Sequence, residues 1–270
     1  MLARALAATS PSAFEVIPLT REELDITDAD SIERALTALR PSIVINSAAY
    51  TAVDRAEDDI EAAERVNGIA PGLLGAAAAR REIKVVHFST DYVFDGRSSA
   101  PYTEHDDTNP INAYGRSKLH GEHALRDSGA EHLLIRTQWL FGDSGKSFPD
   151  TMWTRARSRL PTRVIDDQWG APTFAGDLAR ATWSMLGDRG IVHVVSEGVA
   201  TWYDVARRIF AATGAGDQLS PCSTSEYPTP AQRPQNGRLD TALVRSRGHT
   251  LPPWEDAIDG FIERRSAELR

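Results

Sequence analysis

Short apolar runs alternate with longer stretches of helical periodicity through the first half of the chain. Phe14-Glu-Val-Ile-Pro-Leu19 reads as a strand, and Asp28 to Leu39 as a helix with apolar residues at helical spacing. Ser42-Ile-Val-Ile-Asn46 is a β-branched run that predicts a strand buried on both faces. A helix from about Ile60 to Arg80, the strand Ile83-Lys-Val-Val-His-Phe88 and a loop from Asp95 to Pro110 come next. A helix over Ala113–Ser128 and the strand His132-Leu-Leu-Ile-Arg136 complete this half. Strands separated by helices imply right-handed crossovers, so the fold class is α/β, a Rossmann-like doubly wound parallel sheet.

Beyond Trp139 the pattern loosens. Helices are expected near Ser147–Ser158, Ala175–Leu186, Thr201–Thr213 and Trp254–Glu268, with short strands at Arg163–Ile165 and Ile191–Val195. Prolines clustered over Pro221–Pro234 suggest loops folding over a cleft. The reading is a dinucleotide-binding part over 1–139 and a smaller, mainly substrate-binding lobe over 140–270, with some segments returning to the sheet.

The formal charge of −8 gives no basic footprint for nucleic acid. Cys222 is the only cysteine, which excludes a disulfide framework or a cysteine-based zinc site within one chain and suits a reducing compartment. No His/Asp/Glu set has metal-binding spacing. Nor does any run reach the ~18–20 apolar residues of a membrane span, so a cytoplasmic protein is expected. One absence matters more: a dinucleotide-binding domain opens on a strand, a glycine-rich turn and a helix N-terminus. Here Leu2-Ala-Arg-Ala-Leu-Ala7 reads as the tail of that first helix, and no glycine precedes Gly68. The first strand and the phosphate loop are therefore expected to be missing from these residues, and weak cofactor binding would follow.

Tyr114-Gly-Arg-Ser-Lys118 places a phenol and an amine four residues apart on one helix face. A phenol titrates near ~10, and a neighbouring ammonium is expected to lower that value and make Tyr114 usable as a proton donor. Two further segments, Phe88-Ser-Thr-Asp-Tyr-Val-Phe94 and Asn46-Ser-Ala-Ala-Tyr-Thr51, leave strand ends, where ligands meet parallel sheets. A hydroxyl there can orient a substrate carbonyl. His87 and His193 lie inside apolar strands and read as packed core residues.

In this order the segments resemble the short-chain dehydrogenase/reductases. More closely, Asn46–Asp54, His87–Phe94, Arg136-Thr-Gln-Trp139, Asp167–Thr173, Thr201-Trp-Tyr-Asp204, Tyr227–Asn236 and Arg238-Leu239 resemble the dTDP-4-dehydrorhamnose reductase family. The resemblance runs the length of the chain. It implies reduction of a 4-keto-6-deoxy sugar nucleotide, dTDP-4-dehydro-L-rhamnose to dTDP-L-rhamnose, by NADPH or NADH. By position it makes Tyr114 the proton donor, Lys118 its electrostatic partner and ribose ligand, and Thr90 the carbonyl-orienting hydroxyl. Asn67 matches the helix asparagine that holds a relay water. The cofactor is expected to meet Asp25 and Ile26 at the adenine and Ala49, Tyr50, Thr51 and Phe88 along its far side. The dTDP-sugar is expected to meet Thr90, Asp91 and Trp139, with Arg233 and Arg238 as diphosphate ligands. A homodimer is left open. The rival reading is a non-catalytic binding module resembling the regulatory subunit of methionine adenosyltransferase.

Overall fold

The computed structural model describes residues 1–268. Four parallel strands form the central sheet: β1 (Ile43–Asn46), β2 (Lys84–Thr90), β3 (His132–Thr137) and β4 (Gly190–His193), neighbours in that order. Each pairing is in parallel register, with Asn46 opposite His87 and Thr90 opposite Thr137. β4 comes from beyond residue 140 and pairs with β3.

Helices cover both faces. The strand pleat sends alternate side chains to opposite sides. Val86 and Phe88 pack with Leu133, Ile135, Leu178 and α1 (Leu2–Ala8) on one side. On the other, Val85 packs with Ile32 and Leu36 of α2 (Ala29–Leu39), Leu74 of α3 (Ala70–Ala79) and Leu125 of α4 (Ala113–Asp127). Asp28 caps α2 by accepting from the Asp30 N–H, as its place before the apolar run suggests. A separate cluster of Phe141, Met152, Val205, Ile209, Phe210, Ile258 and Phe261 forms the core of the later lobe. Its helices are Phe148–Arg157, Trp202–Ala212 and Trp254–Ala267.

Two expectations are corrected. Phe14–Leu19 forms no strand: the segment is largely exposed, and the Phe14 ring lies 5.6 Å from that of Trp183. A strand persists only where an edge accepts its hydrogen bonds, and Pro18 has no N–H to offer. β1 is not buried on both faces, because only Asn46 is fully covered. Its outer edge has no partner strand among the described residues.

Candidate active site

The C-terminal end of β2 and the first turns of α4 meet closely. Thr90 caps the short turn Asp91–Val93: its Oγ1 accepts the Tyr92 N–H at 3.2 Å and donates to Asp91 Oδ1 at 3.0 Å. Asn112 caps α4, its Oδ1 taking the Gly115 N–H at 2.7 Å. The Tyr92 and Tyr114 rings meet edge to face, with centroids 5.8 Å apart, and the Thr90 side chain lies beside the Tyr114 phenol. The structure thus brings Thr90, Asp91 and Tyr114 together.

Lys118 is buried at 2% exposure. Its Nζ donates to the Phe88 carbonyl at 2.6 Å and stands 3.3 Å from His87 Nε2. Burial lowers its pKa to about 8, against the supporting charge of Glu122 one turn on, so the ammonium still prevails at neutral pH. The phenol moves in the direction opposite to expectation: burial first, and then the Asp91 charge, push the Tyr114 pKa up, while the Thr90 hydrogen bond opposes them. Tyr114 therefore holds its proton firmly. Asp91 is itself pushed up to about 7 by burial, and its Oδ2 has no partner.

Asn67 lies in a π-helical turn, Glu64–Ile69, leading into α3. Its side chain accepts the Tyr50 N–H at 2.8 Å and donates to the Tyr50 carbonyl at 2.9 Å and to Ser117 Oγ at 3.0 Å. This amide pins the loop after β1, with both of its N–H groups and its oxygen bonded there. Tyr50 in turn shares an apolar cluster with Tyr114; Ala49 beside it is half-buried and Thr51 is exposed. The Phe88 ring belongs to the core beneath the sheet; only its carbonyl serves the site. Asp25 and Ile26 lie apart, in the turn before α2, where Asp25 Oδ1 accepts from the Thr27 N–H and hydroxyl at 2.9 and 2.7 Å.

On the other side of the cleft, Trp139 follows β3 in a left-handed conformation, φ 47°. Its ring stacks on Trp202 at 3.7 Å. A non-glycine residue held there carries strain of order ~1–3 kcal/mol, which the packing sustains. Arg233 and Arg238 line one cavity of about 390 Å³ together with Arg97, Asp95, Trp169 and Asn236. Arg233 is not a free guanidinium: both its terminal nitrogens bond Asp54 from the loop after β1. Arg238 is braced by Asn236 Oδ1 at 2.8 Å and the Ser99 carbonyl at 2.6 Å.

Sequence reasoning read His87 only as core packing, and passed over Arg97 and the pairing of Asp54 with Arg233. Strand alternation placed His87 on the α4 side and was the available signal. Arg97 and Asp54 sit in loops, where periodicity says nothing. His193 is the packed residue expected of it: burial first, then Arg136, lower its pKa to about 3.

A parallel sheet ending in a Thr–Asp turn, faced by a helix that presents Tyr114 and Lys118, defines an extended short-chain dehydrogenase/reductase. The chain belongs to the dTDP-4-dehydrorhamnose reductase family: the family model described as RmlD substrate binding domain matches residues 1–267. It is 41% identical to the dTDP-4-dehydrorhamnose reductase of Burkholderia thailandensis, over 95% of this chain and 92% of the relative. The Salmonella typhimurium enzyme of that name is 39% identical, over 88% and 84%. Among solved structures, a dTDP-4-dehydrorhamnose reductase from Clostridium acetobutylicum superposes with TM-score 0.94 at 36% identity, covering 98% of this chain and 96% of that one. One from Bacillus anthracis, in complex with NADP, gives 0.93 at 31%, covering 97% and 95%.

Proposed function

We propose that this protein reduces the 4-keto group of a dTDP-4-dehydro-6-deoxy sugar, dTDP-4-dehydro-L-rhamnose to dTDP-L-rhamnose, using NADPH or NADH. The observation that carries this reading is the Tyr114 phenol paired with Thr90 at the strand end, with Lys118 buried one turn along, in a chain whose relatives are named for that reaction. Those relatives do not favour the regulatory-subunit alternative.

The nicotinamide end of a cofactor fits the residues present: Lys118 is buried with N–H capacity left beyond its two neighbours, and Tyr50 and Tyr114 wall the same space. When bound, the reduced nicotinamide supplies the hydride. Thr90 and Tyr114 orient the sugar carbonyl, and Tyr114 gives its phenolic proton to the carbonyl oxygen. Lys118 then stabilises the phenolate that remains. Asp91 accepts from sugar hydroxyls, Trp139 covers an apolar face of the deoxysugar, and Arg97, Arg233 and Arg238 meet the diphosphate of the dTDP moiety. Residues 1–139 hold the cofactor and, through Thr90, Asp91, Arg97 and Trp139, part of the sugar nucleotide, while 140–270 contribute mainly to the substrate side.

No helix among the described residues is long and apolar enough to cross a membrane. The test is to incubate the purified protein with dTDP-4-dehydrorhamnose and NADPH or NADH, following cofactor oxidation and formation of dTDP-L-rhamnose. Turnover of the nucleotide sugar with none of simple ketones supports the reading; equal activity on a small free ketone overturns it.

A further inference from the structure

The Lys118 ammonium must be aimed as well as charged, and the Asn67 side chain makes its bonds to Tyr50 and Ser117 rather than to Lys118. What stands behind Lys118 is His87. This ring is 1% exposed, on the α4 side of β2, with Nε2 3.3 Å from Lys118 Nζ and Nδ1 3.2 Å from the side-chain Nδ2 of Asn46 at the end of β1.

An ammonium has three N–H donors and no acceptor, so an imidazole nitrogen facing it must accept. The charge-assisted bond from the ammonium outranks the neutral one that the Asn46 side-chain NH₂, 3.2 Å from Nδ1, could donate, so the single ring proton belongs on Nδ1, toward the Asn46 backbone carbonyl. The Asn46 side-chain oxygen is already occupied by the Ala48 N–H at 3.1 Å. Burial and the adjacent cation both disfavour a second proton on this ring, so it stays neutral.

We propose that His87 is the positioning residue of the active site: a neutral, Nδ1-protonated imidazole whose Nε2 accepts one Lys118 N–H. Together with the Phe88 carbonyl it fixes two of the three donors and leaves the third for the cleft. The proposal rests on the reductase reading for its kinetic consequence, but not for its hydrogen-bond assignment.

His87→Phe keeps a ring of similar size and removes the acceptor; His87→Gln restores an acceptor that cannot titrate. The charged and titratable groups around Lys118 are Tyr114 and Glu122 on α4, His87 on β2, Asp91 in the turn after it, and Arg136 on β3, which is paired to Glu122. Of these, only His87 is changed by the variants. Misplacing a reacting group by about 1 Å can cost ~10²-fold. The expected result for His87→Phe is kcat lower by about 10- to 100-fold with little change in sugar-nucleotide KM, and a basic limb of the kcat–pH profile displaced to lower pH. A hydrogen bond to the charged form has been removed, so Lys118 loses its proton sooner. His87→Gln should return both readouts to near wild type.

A second measurement needs no turnover: imidazole ¹⁵N spectra of the unmutated protein, with His87 assigned by its loss in His87→Gln. They should show a neutral Nδ1–H tautomer from pH 6 to 8 and an Nε2 resonance that shifts in Lys118→Met. An Nε2–H tautomer at neutral pH, no response to Lys118→Met, or a His87→Phe enzyme with wild-type kcat and pH profile each overturns the proposal. Absence of turnover by the wild type on the dTDP-sugar would instead count against the reductase reading, and the tautomer result would stand by itself.

Discussion

Arg136 on β3 and Glu122 on α4 form the most deeply buried ion pair among the described residues, with side chains 3% and 1% exposed. The contact is bidentate: Nε and Nη2 donate to the two carboxylate oxygens at 2.9 and 2.7 Å. The guanidinium has few other partners there. His193 Nε2 stands 3.5 Å from Nη1, and the Phe94 ring lies 5.1 Å beneath. Glu122→Gln keeps the shape and removes the charge, leaving one guanidinium N–H facing an amide NH₂. Breaking a buried pair from one side typically costs about 3–5 kcal/mol, because the surviving charge stays desolvated. For a protein of this length each 1 kcal/mol moves Tm by roughly 2–4 °C, so the fall should be about 6–20 °C. Urea unfolding followed by tryptophan fluorescence, with thermal scans beside it, reads the change. Glu122→Met with Arg136→Met should recover most of the loss, since an apolar pair of similar volume removes both buried charges. A loss below about 1 kcal/mol for Glu122→Gln, the scale of a surface pair, would refute the reasoning.

Tyr114→Phe should lower kcat by ~10²–10⁴-fold while sugar-nucleotide binding, read by titration calorimetry, stays within a few-fold; wild-type kcat in that variant would remove Tyr114 from the mechanism. Asp91 is raised in the folded protein to about 7 from ~3.9 in an unfolded chain. Its contribution to stability is therefore full below the unfolded value and is lost as pH rises through about 7. Urea midpoints between pH 4 and 8 should accordingly fall more for wild type than for Asp91→Asn, and parallel curves would contradict the assignment. Arg97→Met and Arg238→Met, in the cavity walled by three arginines, should each raise KM for the dTDP-sugar at least several-fold with kcat nearly unchanged; a KM unaffected by both would place the diphosphate elsewhere.

The βα alternation from Ala29 onward was legible because buried parallel strands read as apolar runs and capped amphipathic helices show their period. So was the pairing of Thr90 with Tyr114, since strand ends and helix starts place side chains by simple geometry. The direction of the Tyr114 shift was not. It depends on how much water the fold excludes and on Asp91 standing nearer in effect than Lys118, and neither is encoded in a four-residue spacing. Arg233 looked like an open diphosphate ligand; its partner Asp54 lies 179 residues away in sequence, beyond the reach of any local pattern. Phe14–Leu19 shows the converse limit. Apolar composition marks a segment that can be a strand, while the hydrogen-bonding edge that makes it one is supplied by the rest of the molecule.

What joins these pieces is the closeness with which α4 lies against its neighbours. A Cβ on Gly115 would stand 2.1 Å from the Tyr92 carbonyl oxygen, and one on Gly121 would stand 2.0 Å from that of Asn67. Neither distance is attainable for a side chain, and in both cases the obstacle is backbone, which cannot rotate aside. Two glycines on one helix therefore let it touch the turn after β2 and the π-helical turn together. Between those two contacts sits Lys118, and just before the first sits Tyr114. Alanine at either glycine would push the helix outward and draw the ammonium away from the Phe88 carbonyl, now at 2.6 Å. The reactive pair is thus held by two residues that carry no chemistry, because main-chain proximity here sets where the phenol and the amine fall.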